Sequence, residues 1–197
     1  KMINSLTGRG NLGPVEPIAG FVNNIFFSPR LLKSNIDVLT AHQFQKGVTP
    51  FVRKRAAINL VKIIGGTAAI LAIANAVKPG SVETDPRSAD FGKIKIGDTR
   101  FDVSGGMSSI IILAMREITQ SSKSSTTGKV TDLNSQKFGA QTGSDVIFDF
   151  FKNKLSPAAS IVKDMVEGQD FQGNKVTLLN EANNLFTPMP ITTFVEL

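Results

Sequence analysis

The sequence lacks several of the residues on which enzymatic and metal chemistry commonly depends. Its 197 residues contain no cysteine, tryptophan or tyrosine, and His42 is the one histidine. The absence of cysteine excludes disulfide scaffolds, thiolate zinc sites and cysteine nucleophiles. A single histidine excludes a multi-histidine metal site within this chain. Hydrolytic triads usually take their base from histidine, but His42 stands in a polar segment with no GxSxG turn, so we predict a surface or loop histidine.

The overall composition is that of a globular chain. Hydrophobic residues make up 41% and charged residues 19%, with 17 Gly and 9 Pro. These values exclude a collagen-like chain and a highly charged disordered tail. Because the chain opens with Lys1 and Met2, we expect it to be a segment of a longer chain.

Positive charge is concentrated in the first part of the chain. Residues 1–80 carry a net charge of +8 and residues 81–197 a net charge of −2. The basic excess centres on Arg53, Lys54 and Arg55, with Lys62 a little further along. Such a segment favours contact with nucleic-acid phosphates or anionic lipid headgroups. A solvated face of a soluble domain is the alternative.

The most apolar segment is Ala56–Val77, which has 22 residues and one charge, at Lys62. A helix of this length reaches the roughly 20 residues that a bilayer requires. The Gly65-Gly66 pair, two asparagines and Lys62 weaken that interpretation, and only fifteen uncharged residues follow Lys62. Two hypotheses stay open: a helix buried in a larger assembly, and a membrane-inserting or interfacial helix. The apolar residues that would form either contact are Ile63, Ile64, Ile70, Leu71 and Ile73.

Periodicity and turn residues predict a mainly α fold of about seven helices with a small β-hairpin. We expect a connector over 1–14, a basic helical part over 15–80 with a long helix at 51–77, and a second part over 81–197. Further helices are predicted at 15–27, 28–40, 107–120, 144–155, 157–167 and 177–185. Ser28-Pro29 and Ser156-Pro157 are each typical of a helix start, with serine as the cap and proline in the first position.

The β-hairpin is predicted at 93–103, where two alternating runs flank Gly97-Asp98. Its buried face would consist of Ile94, Ile96, Phe101 and Val103. After the helix at 107–120, residues 121–128 are expected to be an exposed polar loop, and 129–133 a short strand.

Three patterns resemble catalytic or ligand-binding motifs but do not support such a site. A carboxylate–lysine nuclease site needs an acid two residues before a lysine, but Phe91 precedes Lys93 at that distance, so the acids around the hairpin are interpreted as cross-strand charge pairs. Gly128-Lys129 lacks the first glycine of a phosphate loop. Ser104-Gly105-Gly106 suits an anion-binding helix start less well than a turn that requires glycine. We expect no catalytic residue, metal site or cofactor.

Several segments together resemble a known family. They are residues 85–106 (DPRSADFGKIKIGDTRFDVSGG), with 27–30 (FSPR), 124–129 (SSTTGK), 154–157 (KLSP) and 185–188 (LFTP). This series is similar to the large polyvalent or internal virion proteins of tailed bacteriophages and to their associated domains, and it covers roughly residues 20–190. The resemblance implies a mainly helical region near the C-terminal end of a long chain that is packaged in the capsid or built into the virion. It supplies no catalytic residues.

From these observations we predict a non-enzymatic virion-associated region of an internal or ejection protein, acting in particle assembly and genome delivery. The alternative is an accessory domain of an injected polyvalent protein that binds DNA or a host factor. Expected partners are other phage virion proteins in a homo- or hetero-oligomer, together with DNA and the host membrane. The expected location is the virion, at the capsid interior or the portal and tail, and the host cell envelope after injection.

Overall fold

The structure, a computed structural model, describes residues 2–42, 46–135 and 140–168. Within these ranges the chain forms seven α-helices and two antiparallel strand pairs, which confirms the predicted mainly α class. The chain divides into two compact units. Unit 1 comprises Lys1–Glu16 and Pro29–Phe150, and unit 2 comprises Pro17–Ser28 and Phe151–Leu197. The last predicted helix, at 177–185, lies outside the described residues.

The helices match the predicted positions closely where the sequence has clear start and stop signals. They are α1 (Met2–Leu6), α2 (Ala19–Ile25), α3 (Pro29–Leu39), α4 (Pro50–Val77), α5 (Met107–Thr119), α6 (Gly143–Lys152) and α7 (Pro157–Glu167). The strands are β1 (Lys93–Ile96), β2 (Thr99–Asp102), β3 (Ser121–Lys123) and β4 (Val130–Asp132). The first residues, expected to be a connector, contain α1, and the start of the helix predicted at 15–27 is a 3-10 helix over Gly13–Ile18.

Helix α3 is the centre of unit 1, where it packs against α1, α4 and α5. Its contacts with the first residues are polar. The Gly10 N–H donates to Ser34 Oγ at 2.7 Å, and that hydroxyl donates to the Arg30 carbonyl at 2.7 Å. Asp37, 3% exposed, forms an ion pair with Lys33 and accepts a hydrogen bond from Ser5. Buried polar groups therefore hold α1 and α3 together.

Two sequence predictions near α3 need correction. His42 lies in a turn, as predicted, but it is buried rather than on the surface, with 1% of its area exposed. Its N–H donates to the Asp37 carbonyl at 2.8 Å, which folds the turn back onto the end of α3. Ser28 has φ of 50°, a left-handed conformation, whereas an N-cap residue has an extended one.

The hairpin forms as predicted, but the prediction of its buried face is wrong. Ile94 pairs with Phe101 and Ile96 pairs with Thr99. Ile96 is 60% exposed and Phe101 49% exposed, whereas Ile94 and Val103 are half-buried. All four residues of β2 are exposed, whereas in β1 only the two residues next to the turn are exposed. Strand β1 also pairs with the preceding segment, since the Lys95 N–H donates to the Ser81 carbonyl at 2.7 Å.

The polar segment 121–128 is more ordered than its composition indicates. Its first three residues form β3, which pairs with β4 from Ser121 opposite Asp132 to Lys123 opposite Val130. The Lys123 N–H also donates to the Arg87 carbonyl at 3.2 Å. The predicted exposed loop is therefore a strand at its start, and the predicted strand at 129–133 is confirmed as β4.

Unit 2 is organised around the start of α7. Ser156 caps this helix, because its side chain accepts a hydrogen bond from the Ala159 N–H at 3.2 Å, and this confirms the predicted serine-proline start. The Ser156 N–H donates to the Ile25 carbonyl at 2.7 Å. The rings of Phe26 and Phe151 meet edge to face with centroids 6.5 Å apart.

Candidate contact surface

Helix α4 is the element with the clearest potential for contact with a partner, and local sequence explains its length. Thr49 caps its start by accepting from the Val52 N–H at 3.4 Å, and Pro50 occupies the first position. No proline interrupts the next 27 residues, and the helix ends at Val77, before Lys78 and Pro79. At 1.5 Å per residue its 28 residues extend about 42 Å.

One side of α4 packs on unit 1. This packed stripe consists of Ala56, Leu60, Ile63, Thr67, Leu71 and Ala74, which recur every three or four residues and are buried or half-buried. Near its end, the Ser81 hydroxyl donates to the Ala74 carbonyl at 3.2 Å, and the Gly80 N–H donates to Asn75 Oδ1 at 3.0 Å. The chain that follows α4 is therefore fastened to the last turn of the helix.

The rest of α4 is exposed and apolar. The most apolar 18-residue window of the helix has a mean hydropathy of 1.9, but only 6% of it is buried. By length and composition α4 could cross a membrane. The exposed face of α4 is defined by its large apolar side chains with the most accessible surface: Phe51, Ile58, Val61, Ile64, Ile70, Ile73 and Val77. A helix that is apolar on all sides is normally covered by protein or by lipid, so this face has the composition of an interface.

The residues predicted from the apolar run fall on both sides of the helix. Ile63 and Leu71 belong to the packed stripe, whereas Ile70 and Ile73 lie on the exposed face. Ile64 is at the border: it is 54% exposed and also lines an apolar groove of about 170 Å³ between α4 and α5. The other apolar side chains of this groove come from both helices, from α3 and from the loop before β1: Leu39, Ile63, Ala68, Leu71, Phe91, Met107 and Ile111.

The predicted basic residues surround the first turns of α4. Lys54, Arg55 and Lys62 are exposed, and the structure shows no salt bridge for any of the three among the residues it describes. Arg53 is half-buried, and its Nε atom is buried without a hydrogen-bond partner. No Asp or Glu occurs between Asp37 and Glu83, whereas six Lys or Arg do. The helix therefore carries uncompensated positive charge.

Acidic groups beside the hairpin are, in contrast, engaged with protein partners. Asp85 pairs with Arg87 at 2.8 Å, and this hydrogen bond holds the pKa of Asp85 well below its usual range. Asp90 forms ion pairs with Lys93, at 3.7 Å, and with Arg100. These contacts hold the loop before β1 in place, and they give the acids a structural role.

Burial and hydrogen bonding act in opposite directions on two of these carboxylates. Burial raises the pKa of Asp102, but hydrogen bonds from Ser104 and Ser108 outweigh it and leave the pKa below its usual value. Burial likewise raises the pKa of Glu83, but the hydrogen bond from Lys123 at 2.8 Å, the hydrogen bond from the Asp85 N–H and the charge of Lys123 together outweigh that effect. Both groups are therefore held as carboxylates by their donors.

The other patterns considered from the sequence have structural explanations. Gly105 and Gly106 have φ of 64° and 88°, so the start of α5 requires glycine for its turn. Lys93 is directly opposite Asp102 in the hairpin, but Lys95 is opposite Arg100, so the expected charge pairing across the strands holds at one position and fails at the other. Within the described residues, no group of three or more His, Cys, Asp or Glu is placed to hold a metal ion.

Sequence reasoning missed two features. It did not identify Phe51, Ile58, Val61 and Val77 as part of the exposed face, because α4 is apolar on all sides and its sequence alone does not show which side is packed. It also missed Lys123, which pairs with Glu83 at 2.8 Å and with Asp85 at 3.8 Å. No local signal indicates that contact, because the partners are about 40 residues apart in sequence.

Comparison of the chain with protein-family models, curated proteins and solved structures gives no match.

Proposed function

We propose that this chain is a non-enzymatic region of a tailed-phage virion protein, an internal or ejection protein, and that it acts in particle assembly and genome delivery. The observation that carries the proposal is the exposed face of α4. An apolar surface of this length on a folded unit is unfavourable in water and is stabilised when a partner covers it. We therefore expect the chain to function through contact with other components.

The state of its polar groups supports contact rather than catalysis. An acid–base catalyst needs a titratable group that can reach a substrate. His42 is 1% exposed, and Asp85 and Asp102 are held by neighbouring donors. The segment 85–106, which is central to the resemblance to phage virion proteins, forms a loop, a hairpin and a glycine turn in unit 1. This loop, hairpin and turn form part of the surface of unit 1.

Mass spectrometry of purified particles of the encoding phage tests this proposal. Peptides of this chain should be present at a copy number proportionate to that of the other virion proteins. Particles that are infectious but contain none of these peptides would contradict the proposal. Turnover of a substrate by the purified chain, lost on substitution of one of the hairpin aspartates, would contradict its non-enzymatic part.

The run of six Lys or Arg without an acid favours a second candidate, an accessory domain that binds DNA. Binding through phosphate contacts should weaken steeply between about 50 and 200 mM salt. The triple variant R53Q/K54Q/R55Q should bind less tightly than the control R9Q/K95Q/K129Q, which removes the same charge from exposed residues outside α4. No binding at low salt, or equal loss in both variants, would remove this candidate.

A further inference from the structure

We infer that the partner of the exposed face of α4 is an anionic lipid bilayer, and that α4 lies in the plane of the membrane surface without crossing it. This inference names the partner of the surface on which the proposed function rests. It depends on three observations: the apolar character of the exposed face, the basic residues among its apolar side chains, and the packing of the opposite side on the rest of unit 1.

The apolar character suits the boundary between headgroups and acyl chains. Val61, Ile73 and Val77 are 70%, 65% and 81% exposed, and Phe51 at the start of the helix is 72% exposed. Interfacial helices place such side chains about 5–10 Å into the membrane surface. The exposed face presents them over most of the length of α4.

The charge of the helix selects anionic lipid. Lys54, Arg55 and Lys62 are exposed, Lys78 follows the last turn, and no acid lies on α4 or its flanks to repel phosphate groups. Long basic side chains can extend along an apolar surface and place their charges at the headgroups. Each cation near an anionic membrane adds about fivefold to the affinity.

The packed stripe determines how α4 can be oriented relative to a membrane. A spanning helix would place Leu60, Ile63 and Leu71 in the hydrocarbon, together with whatever is packed against them. In unit 1 this includes β1, which carries Lys93 and Lys95, and the loop at Phe91 and Gly92. Charged groups and unpaired backbone are strongly disfavoured in the hydrocarbon region. While unit 1 keeps this fold, α4 can meet a bilayer only along one side.

The absence of Trp and Tyr makes the orientation measurable with single-tryptophan variants of the full chain. I58W and I73W report from the exposed face, and I118W is a matched control, since Ile118 is 76% exposed on α5. The probes are vesicles of phosphatidylcholine alone or with phosphatidylglycerol, containing lipids brominated at two depths. Fluorescence of I58W and I73W should shift to the blue and be quenched to the same depth in anionic vesicles, while I118W should not change.

A third reporter, I64W, lies near the midpoint of α4. Quenching of I64W at a much greater depth than I58W and I73W would overturn the in-plane orientation, because the middle of a spanning helix lies at the bilayer centre. No quenching at either position would overturn the bilayer as partner; light scattering that then shows a dimer would assign the face to a second copy of the chain. R53Q/K54Q/R55Q should lose roughly 100-fold in vesicle affinity, and R9Q/K95Q/K129Q should retain it. If the chain is present in particles but binds no vesicles, this inference fails and the proposed function stands.

Discussion

Helices α3 and α4 are neighbours in unit 1, but the polar helix α3 has more buried residues than the apolar helix α4. Helix α3 is short and polar, yet Ser34 and Asp37 on it are buried, at 0% and 3% exposure. Helix α4 is long and apolar, yet Ala56 is its one buried residue. In a self-contained domain the apolar helix would be the buried one. The buried polar groups of α3 are thus satisfied within unit 1, whereas most of the apolar surface of α4 is exposed.

This contrast explains how the unit is stabilised without its most apolar helix at the centre. The buried groups of α3 have partners: Ser34 bonds to Gly10 and Arg30, and Asp37 bonds to Lys33 and Ser5. A buried polar group that is fully hydrogen-bonded costs little, but one without a partner costs about 1–3 kcal/mol. The geometry around α3 must therefore be tight, whereas that around the exposed face of α4 need not be.

Substitution of Gly10 by alanine should have the largest effect, because no space exists for a side chain there. A Cβ atom at this position would lie 2.8 Å from Ser34 Oγ, 2.9 Å from Ser34 N and 3.0 Å from the Arg30 carbonyl oxygen. Two of these atoms belong to the backbone of α3 and cannot rotate away. We expect Gly10→Ala to lower the free energy of unfolding by about 3 kcal/mol, measured by urea denaturation followed by circular dichroism.

A loss below about 0.5 kcal/mol, within the range of an ordinary surface substitution, would show that the contact between Gly10 and Ser34 does not hold in solution. Gly13→Ala is not a suitable control, because Gly13 has φ of 67° and would add backbone strain. The suitable controls are Gly65 and Gly66 of α4, where a Cβ atom would meet nothing within 4 Å.

The sequence predicts the helices well because their boundaries are set locally. Thr49-Pro50 and Ser156-Pro157 act through side chains within three residues, so α4 and α7 begin where expected. It predicts burial poorly, because burial depends on contacts between distant segments. Ser34 shows the difference: its partner Gly10 lies 24 residues away, and nothing in the local pattern marks this serine as buried.

In the candidate contact surface, too, local properties are predictable and burial is not. Composition identified the apolar helix and its cations, which are properties of α4 alone. It left two hypotheses open, because a buried core helix and a membrane helix have the same apolar composition. The structure adds that one stripe of α4 is packed and the rest is exposed. That division depends on α3, β1 and α5, and no property of residues 50–77 specifies it.

Substitution of Gly66 by alanine should stabilise the fold, in contrast to Gly10→Ala, and its effect on the free energy of unfolding should be smaller. A Cβ atom at Gly66 or at Gly65 would meet nothing within 4 Å. Glycine in an exposed helix interior is about 1 kcal/mol less favourable than alanine, so Gly66→Ala should raise the free energy of unfolding by about that amount. The same urea denaturation, carried out at several protein concentrations, measures it.

Gly65→Ala is the control for Gly66→Ala, because it lies in the same turn of the same exposed surface. Both variants should be more stable than the parent chain at every concentration. A loss of stability in either variant that grows with protein concentration would mean that another copy packs against these glycines, which contradicts an open face of α4.

Removal of one hydrogen-bond donor to Asp102 should have the smallest effect and should depend on pH. Ser104 donates to Asp102 Oδ1 from its N–H at 2.7 Å and from its hydroxyl at 2.6 Å, and the buried Ser108 hydroxyl donates to Oδ2 at 2.9 Å. Ser108→Ala should raise the pKa of Asp102 toward its usual value, observed by NMR titration of the carboxyl carbon. It should also cost about 0.5–1 kcal/mol at neutral pH.

The pH dependence follows from the sign of the shift. Because the pKa of Asp102 is lower in the folded state than in the unfolded chain, the carboxylate stabilises the fold above about pH 4, and this contribution is lost as the pH falls through the folded-state pKa. The difference in stability between the parent chain and Ser108→Ala should therefore shrink as the pH falls below about 4. A difference that stays constant as the pH falls would mean that Ser108 stabilises the start of α5 by packing alone, and not through its hydrogen bond to Asp102.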